Sequence, residues 1–353
     1  MNNKTMKSIN VDGMERHIFC RPKSKKDKII ETTEIQLYDE ACKNCINIIE
    51  LLVTLVKTHY LLPEKMEFIE ISSHDDYDIH KIIQNKKYML FTYKKQESYI
   101  PLTTYLLHFN HNPTQFVFHL QHSYSHLLTL FKNLETSQLC YFGLSSKSIL
   151  YHVEHHTPLL QCFTSAFQTK QPNTVENFIR NIQTIDNFSN QPLEIHMIYF
   201  LLKNEGLTLS HYHVEEIVDH YMRSMQVFSL FSDSYNQKVR YAGINLLNTY
   251  VNHPLEDIIK KVVKYADTWD NFALSVLYLY LVGNAIRIFK LKDTFFNGWV
   301  KILTQNLNPD PAQRENIENT QKKVERLYYD YPNWKFAKSI SEEQLEKVIE
   351  FFI

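Results

Sequence analysis

The sequence predicts an α+β fold, with a small mixed part followed by a larger, mainly helical one. Three observations carry this. Two runs before residue 100, "KMEFIEISS" and "KKYMLFTYKK", are rich in β-branched and aromatic residues, as strands are. After Pro113 the apolar residues recur at three and four, as on one face of a helix. Between these regimes, "CYFGLSSKSILYHVEHHTPLLQCF" alternates short apolar runs with polar turns.

In chain order, residues 1–30 are polar and are expected to be loosely ordered. Their basic cluster "RPKSKKDK" reads as a solvated loop rather than a polyanion site. Residues 36–58 have helical spacing: Leu37, Ala41, Ile48, Leu51, Leu52, Leu55 and Val56. Pro63 ends that segment, and the two strand-like runs follow. "SYIPLTTYLLHF" reads as a hinge leading into a short helix. "QFVFHLQHSYSHLLTLFKNL" then places Val117, Leu120, Tyr124, Leu127, Leu128, Phe131 and Leu134 on one helical face. Further helices are expected at "PLEIHMIYFLL", "HVEEIVDHYMRSM" and "PLEDIIKKVVKYAD". "TWDNFALSVLYLYLV" is apolar on every side, which predicts a buried helix.

Composition excludes several classes. The net charge of −1 leaves no electrostatic footprint for nucleic acid. Five scattered cysteines do not make a disulfide framework, and a reducing compartment is the simpler reading. Cys42 and Cys45 form a lone CxxC on the first helix. They are expected to be packing residues, since no second pair completes a zinc site. No apolar run reaches the ~18 residues of a membrane span, and "MNNKTMKSIN" lacks the apolar stretch of a secretion signal. An intracellular, soluble protein is expected. His119, His122 and His126 share a helix and His152, His155 and His156 a hairpin. A solvated helix face and a polar turn are the expected readings, so no metal site and no cofactor are assigned.

The order of elements and several quoted segments together resemble the protein-kinase family. "KYMLFTYKKQESYIPLTTYLLHF" resembles the last strand of the N-lobe, the hinge and the next helix. In "LCYFGLSSKSILY", the pattern H-R-D-L-x-x-x-N would put Tyr141 at the His, Phe142 at the Arg, Gly143 at the Asp and Ser148 at the Asn. "PLLQCF" resembles the strand into D-F-G, with Cys162 at the Asp, Phe163 at the Phe and Thr164 at the Gly. "QPLEIH" resembles the A-P-E element with Glu194 as its Glu, and "NPDPAQR" the segment whose Arg, here Arg314, pairs with that Glu. Asp270 resembles the Asp that opens the buried central helix of the C-lobe.

The resemblance implies a bilobal kinase-like fold, with a polar segment at 1–30, a reduced N-lobe at 31–98 and a mainly helical C-lobe at 99–353. It also implies that the chemistry is lost. Phosphoryl transfer in the family needs a Gly-rich loop, a strand Lys with a Glu partner, an Asp base, and an Asp and an Asn on Mg²⁺. Gly13 is the one glycine before Gly143, and Gly143, Ser148 and Cys162 replace the base and both metal ligands. The strand Lys is unassigned, and Glu34, Asp39 and Glu40 are equal candidates for its partner. The expected function is that of a catalytically inactive kinase-like protein that binds another protein. Composition and drift resemble kinase-like proteins of large DNA viruses of eukaryotes, which implies host cytoplasm or virion. Two alternatives stand beside it: a phosphotransferase with carboxylates relocated to Asp75, Asp76 or Asp186, and an unrelated helical structural protein. The aromatic content, with 22 Tyr and 22 Phe, predicts an exposed patch, for which "VERLYYDYPNW" is the candidate, unless these rings fill the core.

Overall fold

In the computed structural model, which describes residues 5–11, 14–22, 29–54, 60–70, 87–96, 98–109, 112–184, 188–204, 208–290, 294–331 and 335–349, the chain is mixed α+β and mostly helical. The first part is a five-stranded antiparallel sheet, β1 (Thr5–Val11), β2 (Met14–Pro22), β3 (Ile29–Leu37), β4 (Lys65–Glu70) and β5 (Lys87–Gln96), in the order β1-β2-β3-β5-β4. This corrects the expectation of a loose polar segment at 1–30. The described residues there form β1 and β2, and residue 30 lies inside β3. The sequence signal is the turn. Val11 pairs with Met14, and the residues between them are Asp12 and Gly13, the commonest signature of a two-residue hairpin.

Helix α1 (Glu40–Thr54) starts later than its apolar spacing suggested, because β3 runs through Leu37 and Asp39 caps the helix by accepting the Cys42 N–H at 2.9 Å. Its buried face, Cys42, Cys45 and Ile49, packs on Met89 and Phe91 of β5. The CxxC cysteines are therefore part of a small core between helix and sheet.

β6 (Tyr99–Pro101) leads into α2 (Leu102–Leu107). α3 (Pro113–Thr136) follows, its N-terminus capped by Asn112, whose side chain accepts the Gln115 N–H at 3.1 Å. Because that cap is exposed and makes one bond, Asn112→Ala should cost about 1 kcal/mol, seen as a lower urea midpoint with an unchanged m-value. The opening segment supplies β7 (Leu139–Cys140), β8 (Ile149–His152) and β9 (Pro158–Leu160). β8 pairs with both β6 and β9, and β7 pairs with β10 (Phe167–Gln168). Nine more α-helices come after among the described residues: α4 (Thr174–Thr184), α5 (Leu193–Lys203), α6 (His211–Ser224), α7 (Asp233–Asn248), α8 (Leu255–Val262), α9 (Trp269–Phe289), α10 (Phe295–Asn306), α11 (Ile317–Asp330) and α12 (Glu342–Ile349).

α9 is the centre of the large core. From Asp270 to Val282 only Leu277 and Tyr280 are partly exposed, and the helix packs on α3, α10 and α12. Buried polar side chains fix its neighbours. Asn306 donates to Ser275 Oγ at 2.9 Å, Asn271 to Thr320 Oγ1 at 2.9 Å, and Ser123 and Tyr278 share a hydroxyl bond at 2.7 Å. The expectation that no apolar run reaches membrane length was too strict. The stretch Leu255–Phe289 is long and apolar enough by composition, with a mean hydropathy of 1.7, but 67% of that window is buried inside the fold.

Candidate functional site

The segment from Cys140 to Phe163 lies over the start of α9, and Asp270 organises it. Asp270 Oδ2 accepts the Tyr141 N–H at 2.7 Å and Oδ1 accepts the Phe142 N–H at 2.9 Å. Both atoms of the carboxylate are thereby committed to backbone. Burial pushes the Asp270 carboxyl up to about 6, held back by those two donors and by the Cys140 thiol. Phe142 has φ 61°, a conformation that side chains with a Cβ rarely adopt. Its ring is packed between Phe167, Phe178 and Trp269, at centroid distances of 5.8, 5.7 and 5.5 Å.

Gly143 brings no side chain, and its N–H donates to the Tyr141 carbonyl at 2.8 Å. Ser148 is fully buried, and its hydroxyl accepts the Ser145 N–H at 3.0 Å and donates to the Ser145 carbonyl at 2.8 Å. That hydroxyl is spent on its own turn. Cys162 is half-buried with φ 69°. The residue before it is clamped: Gln161 N–H donates to the Ser148 carbonyl at 3.1 Å, its amide to the Lys147 carbonyl at 2.9 Å, and the Tyr141 hydroxyl donates to the Gln161 carbonyl. Phe163 is buried edge-on against Tyr60 and Tyr141, at 5.7 and 5.3 Å.

Cys162 faces a recess built by three parts of the chain. Its lining is Gln36 from β3, Cys45 and Ile49 from α1, Tyr93 from β5, Leu61 and Pro63, and the stretch Cys162–Thr164. The cavity volume is about 10 Å³, room for roughly one water and far below the ~300–1,000 Å³ usual for ligand pockets. No Asp, Glu, Lys, Arg or His is among these residues. A magnesium–triphosphate complex needs hard anionic oxygens for the metal and cations for the phosphates, and this lining offers neither. Of the three acidic candidates near it, Asp39 caps α1 and Glu40 pairs with Lys43 at the surface, while the Glu34 side chain lies outside what is described. Asp75, Asp76 and Asp186 also lie outside the described residues.

The chain matches no protein-family model and no curated protein.

Away from the recess, Glu194 and Arg314 form a bidentate pair. Nη1 donates to Oε1 at 2.6 Å and Nη2 to Oε2 at 2.8 Å, with side chains 0–1% exposed. Arg314 also donates to the carbonyls of Asn308 and Pro309, Trp269 Nε1 donates to Glu194 Oε1 at 3.0 Å, and the guanidinium lies 5.0 Å from the Phe272 ring centre. Sequence reasoning missed a set of side-chain amides that fix the loops. Gln191 donates to the Phe142 carbonyl at 2.6 Å, Asn190 to Leu144 at 3.2 Å, Asn181 to Ser165 at 2.7 Å and Asn44 to Ala166 at 2.9 Å. An amide has no charge and no fixed spacing, so nothing in the sequence marks these four.

Among the described residues no group of three or more His, Cys, Asp or Glu is placed to hold a metal ion. Among the described residues most aromatic rings are in the core; Tyr212, Tyr241, Phe68 and Phe118 are exposed singly, and Tyr328, Tyr329 and Tyr331 lie together at the end of α11, 40%, 81% and 37% exposed.

Proposed function

We propose that this chain is a pseudokinase, a protein of bilobal kinase-like architecture that has lost phosphoryl transfer and acts by binding another protein. In this reading the sheet with α1 is a reduced N-lobe and everything from α2 onward is the C-lobe. Gln36 and Cys45 then stand for the strand Lys and its Glu partner, and Cys162 for the metal-binding Asp.

The observation that carries the reading is the convergence of Gln36, Cys45 and Cys162 on one small recess without an ionisable carboxylate or cation. A strand, a helix and a loop meet there as they would to grip a nucleotide, but with neutral side chains. The scaffold charges have the opposite history. Asp270, Glu194 and Arg314 keep charge-assisted hydrogen bonds that the fold needs and that chemistry at the recess does not. The exposed tyrosines of α11 support a protein partner, since aromatic residues are enriched in interface cores.

The test is thermal denaturation with ATP or GTP, with and without Mg²⁺, alongside transfer of labelled phosphate to the protein itself and to generic substrates. The expected result is an unchanged midpoint and no transfer. A Mg²⁺-dependent rise in midpoint, or transfer lost on changing Asp75, Asp76 or Asp186, would replace this reading with the relocated-carboxylate enzyme.

A further inference from the structure

The histidines that the sequence divides between a helix and a hairpin meet in space. The turn between β8 and β9 is built on His152, which is buried. Its Nδ1 accepts the backbone N–H groups of Glu154 and His155, at 3.2 and 3.1 Å. An imidazole nitrogen that accepts carries no proton. His152 is therefore the neutral tautomer with its proton on Nε2, which donates to Ser98 Oγ at 2.9 Å. Ser98 belongs to the connection between β5 and β6, and its carbonyl takes the Val153 N–H at 3.0 Å.

Four residues after His152, His156 has φ 52°, an unfavourable conformation for a residue with a Cβ. Its side chain is held by Tyr105 of α2. The Tyr105 hydroxyl lies 3.1 Å from His156 Nδ1 and 2.8 Å from His119 Nδ1 on α3. One phenol proton serves one acceptor, so the other imidazole must donate, and the neutral cluster closes with one accepting and one donating nitrogen. The His119 and His156 rings are 4.6 Å apart, and His119 is stacked on Phe109 at 3.8 Å.

The titratable groups facing the cluster are Tyr99 from β6, Tyr105 from α2, His122 from α3, Tyr151 from β8, and Glu154 and His155 from the hairpin itself. Glu154, the one carboxylate of this set, faces His152 and is exposed. A proton on His152 Nδ1 would evict two backbone donors. A second positive imidazole at the His119–His156 contact would be a like-charge pair beside buried aromatic rings.

We propose that the β8–β9 hairpin is an acid-released latch on the connection between the five-stranded sheet and the helical part. Protonation of His152, and of His119 where it meets His156 through Tyr105, frees the turn around residues 152–157, and with it the Ser98 anchor of β6. Burial lowers His119 to about 4 and shifts His152 and His122 the same way, with neighbouring imidazoles adding to the effect. The sign follows. An exposed histidine takes its proton near ~6.5, and the closed hairpin resists it to lower pH, so closure is lost as pH falls below that value.

Hydrogen exchange read by mass spectrometry, on the full chain from pH 7.5 to pH 5, tests this after correction for intrinsic rates. Peptides covering 149–160 and 98–107 should lose protection, while α9 stays protected. Each histidine that takes its proton near ~6.5 only on opening multiplies the opening constant by ~30 between pH 7.5 and 5. His156→Asn keeps a residue that tolerates positive φ and removes the neighbouring imidazole that helps to lower His119 and His122, so its acid response should be shallower. Tyr105→Phe, which deletes the shared hydroxyl, should expose the hairpin already at pH 7.5. The inference is overturned if these peptides keep their protection at pH 5, if they open only together with α9, or if His156→Asn reproduces the wild-type pH profile.

Discussion

Arg314→Ala is expected to be the most damaging single change in the helical part, lowering stability by about 3–5 kcal/mol. A surface ion pair would not do this, since exposed pairs contribute roughly 0–1 kcal/mol. The difference is solvent. Both side chains of the Glu194–Arg314 pair are essentially out of water. When the guanidinium is removed, Glu194 keeps one donor, Trp269 Nε1, and its second oxygen is left charged without a partner. The carbonyls of Asn308 and Pro309 lose a donor at the same time. Arg314→Lys should recover little, because an ammonium cannot reproduce the fork that meets both carboxylate oxygens. Urea unfolding followed by circular dichroism gives the loss directly. A second variant separates charge from shape: Glu194→Gln with Arg314→Met removes both charges and should be less destabilised than Arg314→Ala alone. If Arg314→Ala unfolds within about 1 kcal/mol of wild type, the pair is not the fastening it looks to be.

That pair was legible in the sequence for a physical reason. A buried guanidinium restricts its surroundings, so Glu194 comes with Pro192 and Leu193 at a helix start, and Arg314 with Pro309, Asp310 and Pro311 in a tight turn. Helices such as α3 and α9 were legible because burial writes a period or a continuous apolar run. The strands β1 and β2 were not. Their composition is polar, no full alternation marks a face, and the informative residues were Asp12 and Gly13, an Asp-Gly pair between the paired residues Val11 and Met14. The recess was half legible. Cys162 could be placed because Phe163 follows it, but Gln36 and Cys45 are neutral residues on an ordinary strand and helix. Only their convergence in space gives them meaning. The histidines failed in the same way: each cluster was visible along the chain, and the contact of His119 with His156 through Tyr105 was not.

Asp270 combines a structural role with a titration, and its substitution makes the last prediction. Asp270→Ala leaves the Tyr141 and Phe142 N–H groups buried without an acceptor, at about 1–3 kcal/mol each. It also releases Phe142 from the positive φ that those bonds help to hold. Relief from burying a carboxylate offsets part of this, so a net loss of about 2–4 kcal/mol at neutral pH is expected. The pH dependence is more diagnostic. The Asp270 carboxyl is raised by burial to about 6 in the fold, against ~3.9 for an exposed Asp. Between those values the folded state holds a proton that the unfolded state has lost, so this group's contribution to stability falls as pH rises through the window. The neutral histidines of the latch act in the opposite direction, losing stability as pH falls. In the wild type the two trends partly cancel. Asp270→Asn removes one of them, so the variant should lose stability on acidification more steeply, by about 1.4 kcal/mol per pH unit between roughly pH 4 and 6. Urea midpoints taken across that range for both proteins measure the difference. Parallel curves would mean that Asp270 is ionised throughout, and that the two backbone donors at Tyr141 and Phe142 outweigh its burial.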